Sequence, residues 1–231
     1  MIVLAIDTAG AACAAAVYDT DQDRILAEVS HVIGKGHAEK LMAMVDDILV
    51  EASVTLLDIH RIAVTIGPGS FTGIRVGLAA ARGLALALGI DVVGVSTLSV
   101  LAAAHRANGG ETGAQGEVLA AMDAKRDEVY AQLFGAHGEP QSVPALVSVD
   151  AFRQQASGAA RVTGSARHLL DQGHKDHLRE EESAMDRFPI EHVARLGALA
   201  EVAGKPAPLY LRGPDAKPQT GFAVARSDAH A

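Results

Sequence analysis

Three stretches of this chain carry residues whose type and spacing can do chemistry. Asp7 and Thr8 close an apolar run over residues 2–6 that suits a central strand. A carboxylate and a hydroxyl at such a strand end can orient a metal-bound phosphate. Asp also caps its own turn through its side chain, however, and the turn reading outweighs the catalytic one. Gly67-Pro68-Gly69-Ser70-Phe71-Thr72-Gly73 lies between a β-branched run and a long apolar helix, where phosphate loops sit. It lacks the Lys-Ser/Thr pair of a Walker loop, and its third glycine comes one residue late for a dinucleotide fingerprint. A turn built for close helix packing is the stronger reading. Asp123-Ala124-Lys125-Arg126-Asp127-Glu128-Val129-Tyr130 is a charged connection between strands, a solvated hairpin by composition and well placed to face a cleft.

The other reactive side chains give little support to hydrolase chemistry. His174 and His177 are spaced i, i+3, yet they sit among Lys175, Asp176 and Arg179 without apolar cover, so a solvated face outweighs a metal site. His37 and His60 are isolated, and His31 stands at a strand end. Ser70 lacks the Gly-x-Ser-x-Gly elbow of a serine hydrolase. Cys13, the only cysteine, lies in a run of small residues and reads as buried packing; it leaves no internal disulfide and no thiolate cage.

Residues 2–6, 12–18 and 24–32 read as strands joined by hairpins, which excludes a simple doubly wound fold that opens strand–helix–strand. Residues 37–52 are a helix on the stripe Leu41, Met44, Val45, Ile48 and Leu49, with Met42 beside it. The helix after the glycine turn is capped by Ser70 or Thr72 and ended by Gly89. On it Gly73, Gly77, Ala80, Leu84 and Leu88 share one side, with Arg75 and Arg82 opposite. Each glycine inside a helix costs up to ~1 kcal/mol against alanine, so close approach of another backbone must compensate. That helix is expected to be pressed between the sheet and another helix, of this chain or of a second one. A strand over 91–95 and a helix capped by Ser96 complete a first lobe, 1–107. The glycine-rich stretch 108–116 marks a boundary. A second, smaller lobe is expected over 108–212: strands at 118–122, 128–134 and 161–163, a helix at 149–155, a solvated stretch at 174–186, an amphipathic helix at 190–202 and a strand at 209–211. Residues 213–231 read as a flexible tail.

Composition narrows the function. With 231 residues, 49% of them hydrophobic and 21% charged, the chain has material for a real core. A formal net charge of −8 and 3% aromatic residues argue against gripping nucleic acid unaided. No basic region followed by an apolar run opens the chain, and no apolar stretch approaches ~20 residues without charge or glycine. A cytoplasmic protein with no membrane association is the expectation.

Taken together, Ala5-Ile6-Asp7-Thr8, the glycine turn with Ile74-Arg75-Val76-Gly77, Val95-Ser96-Thr97-Leu98, Asp123-Ala124-Lys125-Arg126 with Glu128-Val129-Tyr130, and Leu209-Tyr210-Leu211-Arg212 resemble, in this order, the bacterial TsaB (YeaZ) family of tRNA threonylcarbamoyladenosine biosynthesis proteins. The likeness runs from Met1 to about Arg212; the glycine turn alone is shared with the catalytic relative TsaD. It implies an α/β, two-lobed actin/Hsp70/sugar-kinase-like (ASKHA) fold, with a mixed sheet flanked by helices in each lobe. It also implies a non-catalytic subunit that pairs with and activates TsaD, is joined by the ATPase TsaE, and forms a homodimer when TsaD is absent. The complex places threonylcarbamoyl on the adenosine next to the anticodon of tRNAs reading codons that begin with A, and tRNA is met only through the complex.

Where the catalytic relative carries its His-rich metal motif, this chain has Gly94-Val95-Ser96-Thr97-Leu98-Ser99, without imidazole or carboxylate. The expectation is therefore no catalytic residue, no metal and no cofactor, with Asp7 and Thr8 as degenerate phosphate-loop candidates. Leu41, Met42, Val45, Gly73, Val76, Gly77 and Ala80 are the expected interface, on two helices carrying more apolar area than one sheet face can cover. The competing readings are an ATP-dependent phosphotransferase of the sugar-kinase type, with Thr163-Gly164-Ser165 as remnant of a phosphate turn, and a metallopeptidase-like protein.

Overall fold

A computed structural model of the chain describes residues 1–33, 36–109, 116–159, 161–170 and 188–213. The first sheet is ordered β3-β2-β1-β4-β5, from β1 (Ile2–Asp7), β2 (Ala12–Asp19), β3 (Arg24–Val32), β4 (Arg61–Gly67) and β5 (Asp91–Ser96). β1 to β3 pair antiparallel; β4 runs parallel to β1, and β5 parallel to β4. Every residue of β2 is buried, and its Ala-Cys-Ala-Ala-Ala run keeps both faces thin enough for helices to pack closely.

Helices α1 (His37–Ala52) and α2 (Phe71–Leu88) cover one face, and α3 (Thr97–Asn108) and α5 (Ile190–Leu199) the other. Adjacent residues of β4 mark the two sides. Val64 faces Gly77 of α2, while Ala63, pointing the opposite way, faces Gly197 of α5. The expected caps of α2 are present: Ser70 Oγ accepts from Gly73 N at 3.2 Å, and Gly89 ends the helix with φ 68°. Thr55 and Asp58 form a capping box around a 3₁₀ turn before β4. Among the described residues α2 is the one helix long and apolar enough to cross a membrane, and its buried face, Ile74, Leu78, Ala81 and Ala85, joins the core of the first sheet.

The second sheet is ordered β8-β7-β6-β9, from β6 (Val118–Lys125), β7 (Glu128–Phe134), β8 (Ala145–Ser148) and β9 (Arg161–Thr163), with α4 (Val149–Gly158) between β8 and β9. Its order, directions and helix placement repeat those of β3-β2-β1-β4 and α1. Two related lobes, each with a mixed sheet and flanking helices, are thus the actin/Hsp70/sugar-kinase-like arrangement that the family resemblance implies. One face of the second sheet, Ala120, Met122 and Phe134, shares the first lobe's core, and the other packs Phe152 of α4 in a core of its own.

The second lobe is smaller than its expected span of 108–212. α5 lies on β1, β2 and β4 of the first sheet, where Ile190, Val193, Ala194 and Gly197 are buried. Arg61 Nη1 donates to the carbonyls of Gly197, Ala198 and Ala200 at 3.2, 2.9 and 3.0 Å, capping the end of α5. The chain therefore returns to the first lobe after the second sheet. Leu209 to Leu211, read as a strand, joins no ladder among the described residues; Leu209 N donates to Ile66 O at 2.8 Å. The stretch at 174–186, residues 110–115 of the glycine-rich break and residues 214–231 of the tail lie outside the described residues.

Candidate functional site

A cleft of about 1000 Å³ opens between the lobes. Its walls are the β1–β2 turn (Ala9, Gly10, Ala11), the start of α2 (Ser70, Phe71, Arg75), the second sheet (Met122, Asp123, Tyr130) and residues 209–213. In this position a phosphate-transfer site would present acids and phosphate donors. Here the polar groups have other partners. Asp7 and Thr8 do not line the cleft; both are fully buried. Asp7 Oδ1 accepts from Thr65 Oγ1 at 2.6 Å and from Ala9 N at 3.0 Å, the turn chemistry favoured by the sequence. Its Oδ2 is buried without a hydrogen-bond partner, and desolvation pushes the carboxyl up to about 6 against the pull of those bonds. Thr8 Oγ1 donates to Gly73 O at 2.7 Å. Asp123 at the cleft wall accepts from Lys125 N and Lys125 Nζ, both at 2.7 Å.

The notches of Gly73 and Gly77 in α2 are filled from within. A Cβ on Gly73 would overlap the carbonyl oxygen of Thr8, and one on Gly77 would overlap Thr8 Oγ1. Gly69 is likewise closed by Ala9 O, which accepts from Ser70 N at 2.7 Å. The glycines therefore seat the β1–β2 turn against the start of α2, and the close approach sought in another helix is made by this chain's own hairpin. This corrects the expectation for Gly73 and Gly77 as surface residues. Leu41 and Val45 are also buried in the first core, leaving Met42 exposed and Val76 and Ala80 half-buried as the accessible members of the expected set. The apolar stripe of α1 is spent on its own sheet, and its outward side carries Glu39, Asp46, Asp47 and Glu51 with one base, Lys40, beside the exposed Met42 and Val50.

The outward side of α2 is different. Thr72, Ala79, Gly83, Leu86 and Ala87 are exposed there, next to Val76 and Ala80, with no charge among them. Leu86 keeps 83% of its surface in solvent. A Cβ on Gly83 would meet nothing within 4 Å, so this helix-interior glycine has no partner in the described chain to offset its cost. Arg75 and Arg82 stand to one side of this strip, held by Tyr210 Oη at 2.8 Å and Pro206 O at 2.5 Å. Gly83 was not singled out in the sequence, because a helical wheel shows which residues share a face but not which notch is already filled.

The site expected of a hydrolase does not assemble among the described residues. No group of three or more His, Cys, Asp or Glu side chains there is placed to hold a metal ion. His31 is exposed, His60 Nδ1 accepts from Ile2 N at 3.2 Å, and His37 is buried; His174 and His177 lie outside the described residues. Cys13 is buried, and desolvation pushes its thiol up to about 11, which keeps it protonated and unreactive at neutral pH. Thr97, in the stretch where the catalytic relative is expected to carry metal ligands, donates from Oγ1 to Pro68 O at 2.6 Å.

Residues 25–164 match the family described as TsaD: tRNA N6-adenosine threonylcarbamoyltransferase. The tRNA threonylcarbamoyladenosine biosynthesis protein TsaB of Escherichia coli is 41% identical over 131 residues, covering 56% of this chain and 53% of that protein, so this match spans about half of the relative. An uncharacterized protein of Mycobacterium tuberculosis is 35% identical over 226 residues, 94% of each chain. YeaZ from Pseudomonas aeruginosa superposes with a TM-score of 0.70 at 27% identity, over 91% of this chain and 99% of that one. The matched span takes in the glycine turn, the Val95–Leu98 stretch and the Asp123–Tyr130 hairpin that carried the resemblance, and the YeaZ superposition extends it to most of the chain. The chain belongs to the TsaB/YeaZ family.

Proposed function

We propose that this chain is the non-catalytic partner subunit in the formation of threonylcarbamoyladenosine next to the anticodon of tRNAs reading codons that begin with A. In this reading it docks on and activates the catalytic subunit TsaD, is joined by the ATPase TsaE, and pairs with a second copy of itself when TsaD is absent. It works in the cytoplasm, contributes no cofactor of its own and meets tRNA only through the assembly. The observation that carries the reading is the uncharged outer strip of α2 around Gly83, a helix face with open space where a side chain would stand. An exposed apolar strip of this length costs solubility unless another surface covers it. The acids on the outward side of α1 beside it favour a partner that brings basic groups to the rim. The sealed, internally bonded Asp7 and Thr8 support a subunit that positions another protein's chemistry and does none itself. The names of the TsaB relatives and of the matching family place the expected chemistry on tRNA.

Reconstitution tests the proposal. TsaD, TsaE, the threonylcarbamoyl donor and tRNA are combined with and without this chain, and modified adenosine is measured in the digested tRNA. Modification only when the chain is present is the expected result. Equal modification without it overturns the proposal, as does magnesium-dependent ATP hydrolysis by the isolated chain, which would favour a kinase.

A further inference from the structure

The charged hairpin Asp123 to Tyr130 and the segment after α5 have no part in the docking face, yet they meet across the cleft. The β6–β7 turn is strained: Lys125, Arg126 and Asp127 take φ of 62°, 60° and 60°, three consecutive side-chain-bearing residues in the left-handed region. Such backbone persists only where its surroundings hold it. Asp123 Oδ1 accepts from Lys125 N at 2.7 Å, and Asp127 O accepts from Val149 N, at the start of α4, at 3.0 Å. A further hold comes from the far end of the sequence. Arg212 donates to Lys125 O at 3.3 Å and, through the same nitrogen, to the Glu128 carboxylate.

The segment carrying Arg212 is anchored on the first lobe. Arg82 donates to Pro206 O, Leu209 N donates to Ile66 O, and Arg75 Nε donates to Tyr210 Oη. The Arg75 guanidinium lies 3.7 Å from the centre of the Phe71 ring, whose centre is 5.3 Å from that of Tyr210. We infer that residues 206–213 form a latch across the cleft, with Tyr210 seated on α2 of the first lobe and Arg212 holding the strained β6–β7 turn of the second. Release of the latch relaxes the turn and removes one wall of the cleft. The α3 contact between the lobes, which includes Thr97 Oγ1 against Met122 Sδ at 3.6 Å, is the pivot that stays closed.

Amide hydrogen exchange on the full chain tests the latch at single residues. Arg212→Ala is expected to speed exchange at Leu209, Lys125 and Val149 at least tenfold, while Leu41 to Leu49 in α1 stay within twofold of the parent. Arg126→Gly, which removes a left-handed cost, is expected to cut that acceleration at Lys125 and Val149 in the Arg212→Ala background. Tyr210→Phe, which keeps the ring but loses the bond to Arg75, is expected to speed Leu209 alone. Unchanged exchange at Lys125 and Val149 in Arg212→Ala overturns the latch and leaves the α3 contact as sufficient. Equal acceleration in α1 overturns it too, because the segment would then belong to the global fold.

Discussion

At the scale of single residues, Asp7 and the glycines of α2 do work that their types alone leave ambiguous. Asp7 looks like an acid for phosphate chemistry and is instead a sealed turn residue with one unbonded oxygen. Its carboxyl stands at about 6 in the fold against 3.8 for the free side chain, so the native state holds the proton more tightly than the unfolded one. The stability tied to that proton is complete below about pH 4 and is lost as pH rises through about 6, a change of about 3 kcal/mol. Asp7→Asn keeps the size without the titration. Its stability relative to the parent, from urea unfolding at pH 4 to 7, is expected to rise by up to that amount with pH; a flat difference contradicts the assignment. Gly77 and Gly83 look alike in sequence and part in the structure. Gly77→Ala meets Thr8 Oγ1 and is expected to cost about 1–3 kcal/mol by overpacking. Gly83→Ala meets open space and is expected to gain up to about 1 kcal/mol. Urea midpoints shifting the same way for both would contradict this division.

At the scale of elements, much of the fold was legible because local patterns decide it. The β-branched run before Gly67, the Ser70 cap, the Gly89 stop and the stripe of α1 each have a local cause, and each element stands where the pattern put it. β8 was missed, since four residues give too short an alternation to register. The return of α5 to the first sheet was missed for a different reason. Amphipathic spacing says that a helix has an apolar face, but not which sheet receives it. Gly197 against Ala63 and the three carbonyls around Arg61 decide that question, and both are contacts between residues more than a hundred positions apart. Arg61→Ala is expected to lower stability by about 2 kcal/mol, as charge-assisted bonds to partly buried carbonyls do. Arg61→Lys should recover less than half, because its shorter side chain carries a compact, strongly hydrated ammonium that falls short of the point where Nη1 meets the three carbonyls. A loss under about 0.5 kcal/mol in urea unfolding would show that α5 docks by its apolar face alone.

At the scale of the molecule, the two sheets repeat one strand order around a cleft whose neighbouring acid and hydroxyl are buried, and the exposed apolar strip lies on the outside of the first lobe. For the proposed docking face, the sequence pointed to α2 as a helix needing cover, but its most conspicuous glycines, Gly73 and Gly77, are filled by this chain's own Thr8. The most direct measurement is sedimentation equilibrium of this chain with TsaD, and alone, for the parent and for Gly83→Glu, with circular dichroism confirming that the variant is folded. The account predicts a stoichiometric pair for the parent and separate monomers for Gly83→Glu, at least a hundredfold weaker in association and no less stable. A parent chain that stays monomeric with TsaD present, or a Gly83→Glu chain that pairs as tightly as the parent, would contradict it.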